Sequence, residues 1–298
     1  IQLPGEPQAR PSWKSEGIKN SQNGTVAPYY IKNTDVKGHY YSVTAMLQKD
    51  FAFGLSAMAA YTYSGSKSAA EGIGDQVSSA YNTMTYSSMG SNTPELGHSA
   101  YVSPNRLIAN ISYRLDRGNG ALTFGLFYEG YNHCYVGSYS YTRYSYTMNN
   151  VTGDGGANNL IYIPTTDDLK NMTFKDEANK TAFNEFIKAD KYLSKHRGEY
   201  SQRGGVVAPW QHRFNFKVAQ DFDFRVAGKK NTIQIGLDIN NLGNLLNSKW
   251  GAYDKLSGDQ ILKYDTKTST YTFTEPTWSK VATVSSTWEM LLSLRWFF

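Results

Sequence analysis

STWEMLLSLRWFF (Ser286–Phe298) closes the chain, and its reading decides how the rest is read. Every second residue back from the end is apolar: Phe298, Trp296, Leu294, Leu292, Met290 and Trp288. The alternate set, Phe297, Arg295, Ser293, Leu291 and Glu289, is mixed and mostly polar. Successive side chains of a strand point to opposite faces, so the segment has one greasy face and one wetter face. A soluble sheet uses that pattern against a core. A run of about ten residues with Trp at both ends of its greasy face also suits a strand that crosses a bilayer.

The same alternation recurs upstream. In HRFNFKVAQDFDF (His212–Phe224), Phe214, Phe216, Val218 and Phe222 share one face, with Arg213, Asn215, Lys217 and Asp221 opposite. After a short VAGKKN turn, Ile233, Ile235, Leu237 and Ile239 alternate with Gln234, Gly236, Asp238 and Asn240. Leu107, Ala109, Ile111, Tyr113 and Leu115 form another apolar row against Arg106, Asn110, Ser112 and Arg114. It turns at DRGNG (Asp116–Gly120) and continues as Leu122, Phe124, Leu126 and Tyr128. Further upstream, Tyr41, Val43, Ala45 and Leu47 are expected to turn at Lys49-Asp50 and return through Phe51, Phe53, Leu55, Ala57, Ala59, Tyr61 and Tyr63. The expectation is long antiparallel strands over 39–65, 105–139, 210–241 and 285–298, with neighbours pairing in order. Long connections over 1–38, 66–104, 140–208 and 245–284 alternate with the short turns. The third of these is expected to hold a helix over 174–193, opened by Thr173 with Asp176. The fourth is expected to hold a small hairpin, Ile261–Tyr264 with Tyr271–Phe273. Strands of ten or more residues exceed the usual soluble length. Short turns at one end and long loops at the other is the layout of an outer-membrane barrel.

Composition agrees. Among 298 residues there are 23 Tyr, 14 Phe and 6 Trp, residues suited to a membrane interface. No run of apolar residues is long enough for a transmembrane helix. The mean hydropathy of −0.52 is no objection to a barrel, because half of each barrel strand faces a wet lumen. The net charge of +5 is dispersed without a basic run, which argues against a nucleic-acid partner. The single Cys, Cys134, allows no internal disulfide. The start at Ile1, without Met or signal sequence, reads as a processed or partial product.

Three stretches resemble a known family: GDGGANNLIYIP (Gly153–Pro164), FNEFIKADKYLSKHRGEYSQRGGVVAPWQHRFNFKVAQDF (Phe183–Phe222), and LDINNLGNLLN (Leu237–Asn247) together with the terminal Phe. They are similar to the TonB-dependent outer-membrane receptors and transporters of the SusC/Oar-like type. The resemblance implies an all-β fold: an antiparallel transmembrane β-barrel segment, the C-terminal third of a 22-stranded plugged barrel. A short helix would lie in a long extracellular loop. It further implies location in the bacterial outer membrane and active import of a nutrient such as a glycan or peptide. The implied partners are the TonB energy-transducing complex, reached through an N-terminal plug region outside this sequence, a surface lipoprotein lid, outer-membrane lipid and the barrel insertion machinery. The terminal residues Met290, Leu292, Leu294, Trp296 and Phe298 resemble the signal read by that machinery. A passive pore or a surface adhesin is the alternative. A hydrolase or a soluble sugar-binding sandwich fits less well.

The candidate lumen-lining or substrate-binding residues are the wet-face set: Arg106, Asn110, Arg114, Glu129, Arg213, Asn215, Lys217, Gln234, Asp238, Asn240, Glu289 and Arg295. Lumen wetting or plug docking competes with direct substrate contact for each of them. Tyr61, Tyr63, Tyr113, Tyr128, Trp288 and Trp296 read as interface-girdle residues. YSYTRYSY (Tyr139–Tyr146) reads as the upward extension of a hairpin, or as an aromatic platform for sugars. No HExxH, GxSxG or Walker loop is present, so no enzyme is expected. Ser64 to Lys67 fits SxxK by spacing alone. The five His residues lack ligand spacing, and no cofactor or metal site is expected. NNVTGDGGANN (Asn149–Asn159) could present oxygens to a divalent cation, but its default is an Asx-type loop.

Overall fold

Seven long strands follow one another across a single antiparallel sheet. They are β1 (His39–Asp50), β2 (Leu55–Ser68), β3 (Asn105–Arg117), β4 (Gly120–Asn132), β5 (Trp210–Val226), β6 (Lys229–Asn240) and β7 (Glu289–Phe297). The computed structural model describes residues 1–13, 18–20, 24–26, 33, 35–71, 76–84, 86–154 and 159–298. Parts of the expected 1–38 and 66–104 loops, and 155–158 of the candidate cation loop, therefore lie outside the described residues. Spatial order equals chain order from β1 to β7. Among the described residues β1 and β7 each keep an unpaired outer edge, and the sheet does not close into a barrel. A 13-residue strand such as β3 spans about 43 Å along its axis, and about 33 Å after a barrel-like tilt of about 40°.

The turns explain the register. Between β5 and β6, Ala227 and Gly228 both hold positive φ (49° and 81°), the conformation that a two-residue hairpin turn needs to match strand twist. Between β1 and β2 the turn is Phe51–Gly54, not Lys49-Asp50. Lys49 and Asp50 still pair, with Ala57 and Ser56. Phe51 and Phe53 sit ring to ring in the turn at 5.4 Å instead of starting the return strand. Gly54 permits this: its φ is +92°, and an added Cβ would lie 2.2 Å from the Arg114 carbonyl oxygen.

Pairing carries the alternation intact across the whole sheet. Residues directly opposite in an antiparallel pair share a face. Leu47 faces Ala59, which faces Ala109, then Tyr128, then Phe214. Further on, Phe216 faces Ile239 and then Met290, while Val218 faces Leu237 and then Leu292. The apolar rows thus merge into one continuous face, and among the described residues no second sheet covers it. Leu47, Leu292 and Leu294 are 81, 74 and 75% exposed. Midway along the face, between Leu122 and Ile235, sits a polar residue, Gln220, whose amide donates to the carbonyls of Asp221 (2.7 Å) and Ala121 (3.2 Å).

The hydrophobic core lies elsewhere. It is built from Leu3, Cys134, Tyr146, Met148, Ile161, Ile163, Phe183, Ile187, Leu193, Leu256, Ile261, Tyr271 and their neighbours, none of which belongs to the seven strands. The long connections, all leaving the same end of the sheet, fold together into a cap. Its strands are short: Tyr253–Ser257 pairs with Cys134–Val136 and Thr277–Val281, and Gln260–Asp265 pairs with Thr270–Phe273 and Thr147–Met148. The Gln260–Phe273 pair is the small hairpin the sequence led one to expect. Tyr139–Tyr141 pairs with Cys134–Val136, so only the first part of that aromatic run forms a hairpin; Tyr144 pairs with Val206 and Tyr146 enters the core. Three of the cap helices are α1 (Val77–Met84), α2 (Thr166–Asn171) and α3 (Glu177–Ala189). α3 is shorter than the expected 174–193, and Thr173 does not cap it. Asp176 is the N-cap and accepts from the Asn179 amide at 2.7 Å. Phe183 and Ile187 bury its inner face.

A buried ion pair ties the start of the chain into this cap. Arg10, 1% exposed, meets both carboxylate oxygens of Glu6 at 2.8 and 2.7 Å. It also donates to the carbonyls of Ser88 (2.7 Å) and Leu160 (2.9 Å), and the Tyr200 hydroxyl donates to Glu6 at 3.0 Å. Its donors are thus matched, as burial of a charge demands.

Candidate functional site on the polar face

The second face of the sheet carries the polar half of each strand. Register puts the wet-face residues together on it. Glu129 pairs with Arg213, Lys217 with Asp238, Gln234 with Arg295, and Asn240 with Glu289. Asn110 and Asn215 flank Phe127 from either side. Arg106 and Arg114 lie on the same face of β3, an even number of residues from Asn110.

These residues divide by what they touch. Towards the turn end they form a chain of contacts. Arg295 donates to Gln234 (3.3 Å), Gln234 donates to Asp221 (2.7 Å), and Arg114 bridges Asp221 (3.3 Å) and Asp116 (2.9 Å). Midway, Lys217 pairs with Asp238 at 3.3 Å. Near the cap, Arg106 pairs with Glu129 at 2.6 Å. Charges in these three groups are compensated locally.

The remaining residues line an open groove where the sheet meets the cap. It has a volume of about 610 Å³ and is walled by Arg213, Asn215, Asn240 and Glu289 from the strands and by Asn241, Thr283, Ser285 and Thr287 from the connections. A second hollow of about 250 Å³ continues from it along the face, sharing Asn215 and Asn240 and adding Asn110, Lys217 and Asp238. The Arg213 guanidinium donates to the Ser285 carbonyl, and Asn215 accepts from the Asn241 amide at 2.9 Å. Among the described residues neither Arg213 nor Glu289 has a partner of opposite charge. The groove therefore offers one cation, one carboxylate, three side-chain amides and several hydroxyls.

The connection residues Thr283, Ser285 and Thr287 were not expected at a site. Their only signal is the polar run TVSST (Thr283–Thr287) just ahead of the last strand. Above the groove, the imidazole of His133 lies 4.4 Å from the Tyr253 ring and its Nε2 lies 2.7 Å from Ser140 Oγ. Burial, and then the charge of Arg213, hold this ring below the ordinary histidine range.

Other candidates stay apart. Ser64 and Lys67 are three positions apart in β2 and point to opposite faces, so they cannot act as a dyad. Ser64 Oγ donates to the Ser103 carbonyl at 2.6 Å. In the 149–159 loop, Asn150 Oδ1 accepts from the Gly153 amide (2.8 Å), Asp154 accepts from Thr152 (3.0 Å), and Asn159 accepts from the Val151 amide (2.7 Å). These described side-chain oxygens accept bonds from the loop itself, as in an Asx-type loop. Among the described residues no group of three or more His, Cys, Asp or Glu could hold a metal ion. No helix among them is long and apolar enough to cross a membrane. Met290, Leu292, Leu294 and Trp296 lie on the uncovered apolar face at the edge of β7, with Phe298 just beyond. Comparison with protein-family models, with curated proteins and with solved structures gave no match.

Proposed function

We propose that this chain is the C-terminal segment of a transmembrane β-barrel in the bacterial outer membrane, belonging to an active importer of the TonB-dependent receptor type. One observation carries the reading: the sheet exposes a continuous apolar face while the hydrophobic core is built from the connections. A sheet that lived in water would bury that face against a second layer. Lipid removes the need for a second layer.

The order of residues along the apolar face supports the same reading. Near the cap it is aromatic: Tyr41, Tyr61, Tyr63, Tyr128 and Trp210. The middle is mostly aliphatic, with Ala59, Ile111, Leu126, Val218, Leu237 and Leu292, and Phe124 and Phe216 set among them. Towards the turns it is aromatic again: Phe222, Phe224, Trp296 and Phe298. Two aromatic girdles around an aliphatic belt match the two interfaces of a bilayer. The unpaired edges of β1 and β7 would join the remaining strands of the barrel, because an open edge is not tolerated in hydrocarbon.

On this reading the polar face lines the lumen, the cap is extracellular, and the groove below it receives the nutrient. Compensated charges along most of the face suit passage of a polar solute. The amides, the hydroxyls and the single Arg213 and Glu289 suit a peptide or a hydroxyl-rich glycan. Release requires a conformational shift that weakens these contacts, driven through a plug and the energy-transducing complex of the inner membrane. A surface lipoprotein covering the cap is part of the same proposal.

The test is uptake in cells that carry the complete protein. Arg213→Gln and Glu289→Gln should each reduce uptake, whereas Arg295→Gln, outside the groove, should not. Uptake should stop when the inner-membrane energy source is collapsed. Uptake that persists without that source would identify a passive pore, and a chain that stays in the aqueous fraction would end the membrane reading.

A further inference from the structure

At the cap end of the apolar face a row of basic side chains runs across three paired strands. His39 of β1 lies directly opposite Lys67 of β2, and Lys67 lies directly opposite His98 of the two-residue strand Gly97–His98. His39 and Lys67 belong to the outward, apolar set of their strands, two positions beyond Tyr41 and Gly65. Immediately below them the Tyr41 ring crosses Gly65, where an added Cβ would lie 2.7 Å from the ring. The Tyr41 and Tyr63 hydroxyls approach to 3.5 Å, and His39 stacks on Tyr41. Arg143, from the cap, stands close enough to these two hydroxyls and to His98 to interact with them electrostatically. The outward face therefore passes from aliphatic, through tyrosine, to a basic cluster.

Among the described residues no carboxylate neutralises the cluster. Among the described residues His39, Lys67, His98 and Arg143 form no ion pair. Lys67 reaches only the amide oxygen of Gln202, at 3.5 Å, and Arg143 donates to the Gly204 carbonyl at 3.2 Å. The nearby Glu71 is committed to Arg203 at 2.9 Å. His98 Nδ1 is buried without a hydrogen-bond partner among the described residues. Burial and then the charges of Arg143, Lys67, Arg203 and His39 hold its pKa down at about 4. Lys67 and Arg143 thus carry positive charge beside two imidazoles, with no counter-ion among the described residues. Such a row is stabilised by an anion that lies among them.

We infer that this cluster binds the phosphate of an anionic lipid headgroup in the leaflet on the cap side. The inference rests on the membrane reading above and adds a ligand to it. Cations that sit just above an aromatic girdle stand at headgroup depth, where each Lys or Arg contributes about 1 kcal/mol to attraction for anionic lipid, or about fivefold in affinity. Lys67 and Arg143 supply the permanent charge. His39 lies at the exposed rim, and the free His98 Nδ1 can take up a proton when phosphate arrives.

The test uses the complete protein in nanodiscs of phosphatidylcholine doped with phosphatidylglycerol. Native mass spectrometry after detergent release counts the retained anionic lipid. The unaltered protein should retain phosphatidylglycerol selectively. The Lys67→Gln/Arg143→Gln variant should lose retention by roughly fivefold for each cation removed. Lys229→Gln, at the opposite end of the sheet, should retain it fully. If the double variant does not fold, Lys67→Gln alone carries the comparison. Undiminished retention in a folded variant overturns the inference and leaves the membrane reading standing. Displacement of the lipid by inorganic phosphate at equal concentration would assign the site to a free anion and overturn the headgroup. A chain that never enters the bilayer overturns both readings.

Discussion

Replacing Ile235 by Arg puts the two solvents of this sheet in direct competition. Ile235 lies near the middle of β6, opposite Gln220 on one side and Leu294 on the other, and it is 46% exposed. If the apolar face met water, a partly exposed Ile→Arg change would fall within about 0.5 kcal/mol of neutral. If it meets lipid near the midplane, the same change costs about 2–4 kcal/mol. That is about 30- to 900-fold in the folded-to-unfolded ratio. Asp238→Leu, three positions along on the opposite face, makes the reverse comparison. It removes the half-exposed ion pair with Lys217, worth about 0–1 kcal/mol, and adds an apolar side chain to a wet surface. Heat-modifiable gel mobility and urea titration of the protein refolded into lipid vesicles measure both variants. Ile235→Arg should be much the more damaging. Equal tolerance of the two, or greater damage from Asp238→Leu, would refute the assignment of the faces.

Deleting Phe297 and Phe298 should lower the amount of heat-modifiable, membrane-inserted protein in cells, while Lys191→Ala on the cap surface should not; unchanged insertion after the deletion would leave β7 an ordinary amphipathic strand. Glu6→Ala leaves Arg10 buried and unpaired, which should cost about 3–5 kcal/mol, whereas Glu6→Leu/Arg10→Met together should recover most of it; protease resistance of the cap reads both, and equal loss in the two variants would contradict the pairing argument. The folded cap holds His98 at about pKa 4 against an ordinary 6.5, so between those values the unfolded chain binds the extra proton. Cap stability should therefore fall as pH drops from 6.5 towards 4, and His98→Gln should flatten that dependence in a thermal melt in neutral detergent.

The strands were legible because a sheet with a different solvent on each face must alternate strictly, and HRFNFKV or LLSLRWFF states that alternation without help from anything distant. The faces of all seven strands follow from that parity and from the short turns. The Phe51–Gly54 turn was misread because Phe51 and Phe53 continue the alternation past the end of β1. What stops the strand there is the backbone of Gly54 against Arg114, a contact between strands that no local pattern announces. Of the cap, only the Gln260–Phe273 hairpin and the body of α3 were legible. Its strands are two to six residues long, too short for a period. Its order comes from contacts such as Tyr271 to Pro4 and Tyr200 to Glu6, made between segments far apart in the chain. Asn179 exchanges two hydrogen bonds with Phe273, at 2.9 and 2.8 Å, and so fastens α3 to a distant hairpin, a contact no local pattern announces. Of the groove, the strand half could be read from parity. The Thr283–Thr287 half could not, because a polar loop before a strand has many uses.

The cap core gathers Leu3 from ahead of β1, Ile161 from between β4 and β5, and Ile261 from between β6 and β7. Under the membrane reading these segments are separated by complete crossings of the bilayer, so they cannot meet until each intervening hairpin has been threaded in the right order. The folded cap is then a tally of finished insertion, kept on the outside of the cell. A protomer that has skipped a hairpin presents Phe183, Ile187 and Tyr271 without their partners, as a loose apolar surface open to proteases. Sorting finished copies from faulty ones would need no separate inspector, because the same side chains that build the cap core make an incomplete copy easy to destroy.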